Sequence, residues 1–308
     1  MSNPDDSSFV GIARPQYTPR PMASTKKKSR TGTLASRADR HNLYQRAVQC
    51  VEAEIDFVDR VSSKLLGRKA SLLREDFCGT ANTSCEWVRR RPTNVAVGLD
   101  IDPKPMAWGR THNIAALTDD QRERLHLIQG DVLGSGPYTG DNGKPRGYDA
   151  VLAMNFSYWC LTERATMLRY FRAVHSSLQA NGIFFLDFYG GSDAFKEMEE
   201  PRKIPADGNL PPFTYVWDQN SYDPITGELK CYIHFRFNDG SELDRAFAYV
   251  WRLWTLPEIR DILTDAGFKT VTVYWEGDDG KGGGNGIFRP AKRGEACPAF
   301  ISYIVAQK

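Results

Sequence analysis

The sequence predicts an α/β fold in which a parallel sheet carries an antiparallel insertion. Short apolar strands alternate with helical segments over residues 71–188, and this alternation is typical of a parallel sheet with right-handed crossovers. Longer strand-like segments follow at 213–254, and Asp239-Gly240 between two of them is a hairpin signal. A helix and two strands at 257–306 then resume the first pattern.

Each element has its own signal in the sequence. A stripe of apolar residues at steps of three or four predicts a helix over 39–66, which Gly67 ends. Pro92 ends a second helix, and Gly267 is placed as the C-terminal cap of the last one. We expect strands at 71–77, 95–100, 125–129, 149–154, 183–188, 213–219, 228–237, 242–254, 268–276 and 299–306, and helices at 39–66, 82–91, 103–117, 162–179 and 257–266.

The charge of the chain is unevenly distributed. The formal net charge is +2, yet residues 1–40 hold eight basic and three acidic side chains, so this segment carries +5 and the rest carries −3. Residues 1–38 are rich in Ser, Thr, Pro and Lys, and such a segment buries too little apolar surface to offset its chain entropy. The sequence therefore predicts a disordered basic tail at 1–38 and one domain at 39–308, with a lid-like insertion at 190–256.

Composition excludes several classes of protein. Apolar residues make up 41% of the chain and charged residues 25%, as in a soluble globular protein. No apolar run reaches the roughly 20 residues that span a bilayer. The six cysteines form no Cys-x-x-Cys pair and the five histidines have no metal-ligand spacing, so we expect reduced thiols, a cytoplasmic location and no metal site.

Aromatic residues are concentrated in the second half. Of the 36 Phe, Trp and Tyr residues, nine lie in 1–150 and 27 in 151–308. Aromatic side chains favour strands, and they also line binding pockets. Both explanations stay open from the sequence.

Polar residues stand where the predicted strands end. In an open parallel sheet, ligands bind outside the carboxyl ends of the strands. Any one such residue could be a helix cap, but a row of them indicates a shared polar site. The row consists of Glu75, Asp76, Asp100, Asp131, Asn155, Asp187 and Glu276.

The loop that follows the first predicted strand distinguishes two kinds of cofactor. Gly79 stands in a loop between a strand and a helix, and Asp100 follows 21 residues later, where a carboxylate is suited to the hydroxyl groups of a ribose. The loop lacks Gly-x-Gly-x-x-Gly, and the acidic pair Glu75-Asp76 would repel a pyrophosphate. The sequence therefore favours the cationic S-adenosylmethionine (SAM) over a dinucleotide.

Five segments follow one another at the predicted strands and their ends. They are Leu72-Leu73-Arg74-Glu75-Asp76-Phe77-Cys78-Gly79-Thr80, Val97-Gly98-Leu99-Asp100-Ile101-Asp102-Pro103, Gln129-Gly130-Asp131-Val132, Asp149-Ala150-Val151-Leu152-Ala153-Met154-Asn155 and Leu178-Gln179-Ala180-Asn181-Gly182-Ile183. In this order they resemble the motifs of class I SAM-dependent methyltransferases, and the resemblance covers roughly residues 70–190 together with the last helix and strands at 257–306. Phe77 and Ala81 depart from the pattern, since they replace the usual first and last glycines of the first motif.

The resemblance implies a Rossmann-like sheet of seven strands whose last strand is antiparallel. It implies that Asp100 binds ribose, that the carboxylate of Asp131 contacts the adenine amino group, and that the backbone N–H of Val132 contacts the ring. The expected SAM-binding residues are Glu75, Asp76, Phe77, Cys78, Gly79, Thr80, Asp100, Ile101, Asp131, Val132 and Asn155.

The leading hypothesis is an enzyme that transfers the SAM methyl group to a small-molecule acceptor by in-line displacement. The candidates for a catalytic residue are Asp187, Tyr158 and Glu276, since a base is needed when the acceptor arrives protonated. The acidic body disfavours nucleic acid as the acceptor. Two alternatives stay open: an RNA or protein methyltransferase that docks through the tail, and a non-catalytic SAM-binding module.

Overall fold

A computed structural model describes residues 32–140, 143–208, 210–280 and 283–308. Most of the predicted basic tail, residues 1–31, lies outside the described residues. Within the described part, no helix is both long enough and apolar enough to cross a membrane.

The core is an eight-stranded mixed sheet in the order β13-β12-β14-β7-β6-β1-β2-β3. Strands β7, β6, β1, β2 and β3 pair in parallel, whereas β14 is antiparallel to both β7 and β12. The strands are β1 Leu72–Asp76, β2 Val95–Asp100, β3 Leu125–Gln129, β4 Tyr138–Thr139, β5 Pro145–Arg146, β6 Tyr148–Ala153, β7 Leu178–Gly190, β8 Met198–Ile204, β9 Phe213–Tyr222, β10 Glu228–Phe237, β11 Glu242–Arg252, β12 Thr270–Asp278, β13 Gly284–Ala291 and β14 Phe300–Gln307.

Helices cover both faces of this sheet. Phe184 and Phe185 are neighbours on β7 and point to opposite faces, and each anchors one of two apolar cores. The helices are α1 Leu34–Arg37, α2 Arg40–Val48, α3 Val51–Leu66, α4 Asn82–Arg90, α5 Pro103–Gly109, α6 Asp119–Glu123, α7 Arg164–Ser177 and α8 Leu256–Asp265, with a π-helix at Arg110–Ile114 and 3-10 turns at Val132–Gly134, Ser157–Cys160 and Ser192–Phe195.

The prediction of an antiparallel insertion is confirmed, and the insertion is larger than expected. β8 to β11 form a separate four-stranded sheet in the order β11-β10-β9-β8, which we call the insertion sheet. The sequence assigned β8 to a loop because its glutamates, lysine and proline hide any apolar alternation. Pairing with β9 along Met198–Ile204 supplies the order that local propensity does not.

The first two helices, α1 and α2, pack on the insertion sheet, whereas α3 packs on the main sheet. The predicted helix at 39–66 is two helices, which break at Gln49 and Cys50. Residues 33–38, which the sequence assigned to a disordered tail, hold the short helix α1, whose first two N–H groups bond to Asp239 Oδ2 at 2.8 Å and Ser241 Oγ at 3.0 Å. These bonds join residues about 205 positions apart, so a reading of local composition misses them.

Within the described residues the main sheet has eight strands, one more than the seven that the resemblance implies. β13 pairs with β12 in a hairpin at the sheet edge, whereas the sequence predicted no strand between 276 and 299. The predicted helix at 103–117 also differs, since it becomes α5 followed by the π-helix.

Candidate functional site

The loop after β1 is fastened to the end of β2. The backbone N–H of Cys78 donates to the Leu99 carbonyl at 3.0 Å, and that of Gly79 donates to Asp100 Oδ2 at 2.7 Å. The N–H of Asp102 donates to Asp100 Oδ1 at 2.8 Å. Asp100 therefore holds two loops together, and each of its oxygens keeps further acceptor capacity for a ligand.

Left-handed backbone shapes this loop. Phe77, Gly79 and Ala81 have φ of +57°, +52° and +55°, a region in which residues with a side chain are strained. The ring of Phe77 packs edge-on against Tyr170 at 5.6 Å between ring centres, and Ala81 is fully buried. The two positions that depart from the motif thus keep the backbone conformation that glycine would adopt.

Thr80 links the loop to neighbouring elements through hydrogen bonds. Its hydroxyl accepts from Gln45 Nε2 at 3.0 Å and its carbonyl accepts from Asn113 Nδ2 at 2.9 Å. A side-chain carbon on Gly109 would lie 2.4 Å from the Thr80 carbonyl oxygen, so only glycine lets α5 approach this closely.

The predicted adenine-side residues lie at the next strand ends. Asp131 caps the turn after β3 by accepting from the N–H of Leu133 at 2.9 Å, and its side chain is exposed. Val132 is buried, whereas Ile101 is 67% exposed directly after Asp100. The exposed apolar side chain of Ile101, which stands in the sequence between Asp100 and Asp102, suits the face of a purine.

The acidic pair after β1 has partners within the protein. Asp76 is fully buried, pairs with Arg74 at 2.8 Å and accepts from the Tyr170 hydroxyl at 2.8 Å. Glu75 Oε2 accepts from Ser84 at the start of α4, from the N–H at 2.8 Å and from Oγ at 2.5 Å, and burial raises the pKa of Glu75 to about 7. Both residues border a cavity, but Asp76 is held in an ion pair and Glu75 is hydrogen-bonded to the start of α4; contact of either carboxylate with the cofactor stays a prediction.

Asp187 organises the exit of β6. Its carboxylate accepts from the N–H groups of Asn155 and Phe156 at 2.6 and 2.9 Å, and these two residues are left-handed, with φ of +57° and +55°. Burial raises the pKa of Asp187 to about 8, against the lowering effect of these two N–H groups. The geometry makes Asp187 a positioning residue, because its oxygens hold backbone.

Tyr158 does not face the site. Its side chain is fully buried and its hydroxyl donates to the backbone carbonyl of Asp187 at 2.8 Å. Burial also raises the pKa of this phenol well above its ordinary value. The hypothesis that Tyr158 acts on the acceptor is therefore replaced by a structural role at the end of β7.

Glu276 is the third catalytic candidate, and it does border a cavity. It stands near the end of β12, half-buried, where one carboxylate oxygen accepts from the N–H of Gly286 at 2.7 Å. The hairpin of β12 and β13 thus fixes its direction.

Two cavities open at this edge of the sheet. The first, about 250 Å³, lies between the β1 loop and α2, and we call it the loop cavity. The second, about 500 Å³, lies between the main sheet and the insertion sheet, and we call it the aromatic cavity. Both are bordered by Tyr44, Asn155 and Tyr249, so they adjoin.

Much of the predicted SAM-binding set borders the loop cavity. Glu75 to Thr80 and Asn155 border it, whereas Asp100, Ile101, Asp131 and Val132 continue along the neighbouring strand ends. Cys78 is buried, and burial raises the pKa of its thiol well above its ordinary value. His41 and Tyr44 of α2 border the cavity as well.

The sequence missed the individual residues of the insertion sheet that line these cavities. Phe247 and Tyr249 border the loop cavity, and Tyr215, Trp217 and Trp251 border the aromatic cavity. The excess of aromatic residues in the second half was the available signal, but it does not say which of them share a face. The pairing of β8 to β11 decides that.

A metal-like cluster lies elsewhere on the insertion sheet. Ligand atoms of His234, Glu242 and Asp244 lie within 4.8 Å of one another. His234 Nδ1 is 2.7 Å from Asp244 Oδ1, and Glu242 pairs with Arg236 at 2.9 Å. We assign no metal to it, because a hydrogen bond between His234 and Asp244 and the ion pair of Glu242 with Arg236 already account for these contacts.

The comparisons identify the fold. The scan against family models and the search of curated sequences both found no match. Solved structures do match. The SAM-bound amino pentose methyltransferase CalS10 of Micromonospora echinaspora is 16% identical, with 92% of this chain and 99% of that chain covered and a TM-score of 0.60.

Two further structures agree. The sugar N-methyltransferase KedS8 of Streptoalloteichus sp. is 17% identical, with 93% and 98% of the two chains covered and a TM-score of 0.59. A SAM-dependent methyltransferase of Clostridium acetobutylicum is 15% identical, with 86% and 96% covered and a TM-score of 0.59. The chain therefore has the fold of these methyltransferases, as the resemblance implied.

Proposed function

We propose that this protein transfers the methyl group of SAM to a small-molecule acceptor. The observation that carries the proposal is the pair of adjoining cavities at the carboxyl edge of the sheet. One is bordered by the β1 loop beside Asp100, and the other is aromatic and covered by the insertion sheet. The shared fold and the descriptions of CalS10 and KedS8 as sugar-modifying methyltransferases support it.

The residues fit SAM at several points. Asp100 has its two oxygens steadied by loop N–H groups at 2.7 and 2.8 Å, which leaves acceptor capacity for two ribose hydroxyls. Ile101 and Asp131 lie beyond Asp100, where the purine of SAM would follow its ribose. Glu75 adds an acidic group to the wall of the loop cavity, where a cationic methionine end would be held.

The protein's contribution to the reaction is alignment and exclusion of water. SAM supplies an activated methyl group when bound. Asp187 fixes Asn155, which borders both cavities, and Phe156, which borders the aromatic cavity, and these two residues would set the line of approach between donor and acceptor. Tyr44 and Tyr249 close the junction from α2 and the insertion sheet.

Incubation of the protein with methyl-labelled SAM and a cell extract tests the proposal. We expect the label to enter the low-molecular-mass fraction. Label confined to RNA or protein would contradict the small-molecule acceptor. An absence of transfer to any fraction, with SAM bound, would support the non-catalytic alternative.

A further inference from the structure

The aromatic cavity is lined by two walls of rings, which meet where Phe156 and Trp251 lie 6.4 Å apart between ring centres. On the insertion sheet, Tyr249 and Trp251 lie 4.6 Å apart between ring centres, and Trp217 lies 5.9 Å from Trp251. On the main sheet, Phe156 and Tyr189 meet edge to face at 4.9 Å. The cavity between these walls thus presents several π faces.

Carboxylates accompany these rings. Glu200 on β8 is the direct cross-strand partner of Trp217 on β9, so its side chain leaves the same face of the insertion sheet. Glu276 approaches from the main sheet, and Asp193 lies at the border, paired with Lys196. The cavity therefore has acidic groups on both sides.

Among the described residues, one basic side chain borders the aromatic cavity, and it already has partners within the protein. The guanidinium of Arg202 donates to the backbone carbonyl of Ala47 and lies over the ring of Tyr215, 5.3 Å from its centre. Its positive charge remains and Lys196 balances Asp193, so the carboxylates of Asp193, Glu200 and Glu276 exceed these two cations by one. Rings and acids together make a site for a positively charged group.

We propose that the acceptor is an amine, whose nitrogen binds among the rings of Phe156, Trp217 and Trp251 with Glu200 and Glu276 on either side. The inference rests on the proposed methyl transfer and names the class of its acceptor. It follows from the chemistry of the cavity walls, which offer π faces and carboxylates to one small group.

The charge balance of the reaction agrees with these walls. An amine that enters as an ammonium first gives its proton to a carboxylate or to water. Its lone pair then attacks the methyl carbon, the N–C bond forms, the C–S bond breaks, and the bonding pair stays on sulfur. The positive charge thus moves from sulfur to nitrogen, so groups that stabilise a cation in this cavity lower the barrier.

A matched pair of probes tests the inference without the true acceptor. Choline and 3,3-dimethylbutan-1-ol have the same shape, and only choline carries a charge; its quaternary ammonium stands in for the methylated product. With the protein saturated in S-adenosylhomocysteine, a titration followed by tryptophan fluorescence should show choline binding about tenfold more tightly, as expected for a cation held by rings and carboxylates.

Neighbouring glutamates supply the matched variants. Glu200→Gln should weaken choline binding about threefold to tenfold and leave the alcohol unchanged, since one charge at close range is removed. Glu199→Gln is the control, because Glu199 lies one residue away and pairs with Arg236 at 3.0 Å. Trp217→Leu, which removes a π face instead of a charge, should also weaken choline more than the alcohol.

Three results would overturn the inference: equal or tighter binding of the alcohol, no choline binding, or equal effects of Glu200→Gln and Glu199→Gln. Failure of S-adenosylhomocysteine to bind is a separate result. It would contradict the proposed methyl transfer, and the titration without it would still decide whether the cavity prefers a cation.

Discussion

At the scale of single residues, three buried carboxyl groups surround the site. Glu54, Glu75 and Asp187 have pKa values raised by burial to about 7, 7 and 8. The other two have hydrogen bonds from N–H groups, whereas Glu54 Oε2 is buried without a hydrogen-bond partner among the described residues. Glu54 is therefore the one of the three with a buried carboxylate oxygen left without a hydrogen bond among the described residues.

This difference predicts a pH-dependent effect of Glu54→Gln. The folded pKa of Glu54 lies above its ordinary value of 4.5, so the native state keeps a proton that the unfolded chain releases, and stability falls as pH rises from about 4.5 to 7. Glutamine removes this loss. The gain of the variant over the wild type should grow by about 2–3 kcal/mol between pH 5 and pH 8.

Thermal unfolding of both proteins at pH 5 and pH 8 measures this effect. A difference in melting temperature that stays constant between the two pH values would contradict it.

The buried pair of Arg74 and Asp76 predicts a loss of stability. Asp76→Asn leaves the Arg74 charge uncompensated in the core, which should cost about 3–5 kcal/mol. Tyr170→Phe removes a single hydrogen bond to Asp76 and should cost less, about 1.5–3 kcal/mol.

Denaturant unfolding distinguishes these values. If Asp76→Asn keeps wild-type stability but loses SAM affinity, then Asp76 belongs to the cofactor site after all.

At the scale of elements, α1 belongs to the folded domain. Its first N–H groups bond to Asp239 and Ser241 of the turn between β10 and β11, and Ala35 joins the apolar core under the insertion sheet. Removal of residues 1–38 should therefore lower the melting temperature more than removal of residues 1–31.

The same two truncations test the alternative of docking through the tail. We expect methyl transfer to persist without residues 1–31. Equal melting temperatures for the two truncations would contradict the role of α1. Loss of methyl transfer on removal of residues 1–31, without residues 32–38, would support docking through the tail.

Elements also show where the sequence sufficed. Each strand predicted within 71–188 has a counterpart in the sheet, because an apolar run between helices is a local signal. β8, α1 and β13 were missed because pairing with another element orders each of them: β9 for β8, the turn at 238–241 for α1, and β12 for β13. The same distinction holds for the candidate site. The sequence could place Asp100 because it directly follows a predicted strand. It could not show that Asp76 is paired with Arg74 or that Tyr158 is buried, because these facts depend on how the elements pack together.

At the scale of the whole molecule, the fold brings two distant parts of the chain to one edge. The β1 loop and the strand ends supply the loop cavity, and the insertion sheet supplies rings and carboxylates for the aromatic cavity. The charge of +2 thus divides between a segment at +5, residues 1–40, and a body at −3. Acidic groups of that body border the cavities proposed for a cationic donor and an amine.

The central claim is that Asp100 and the loop beside it bind SAM. Calorimetry with SAM should show one site per chain, and Asp100→Ala should weaken binding at least about tenfold, because a hydrogen bond to a charged acceptor contributes about 1.5–3 kcal/mol. Asp119→Ala, which removes an exposed carboxylate on α6, should leave the affinity unchanged. Absence of SAM binding to the wild type, or equal affinity of Asp100→Ala and the wild type, would contradict the account.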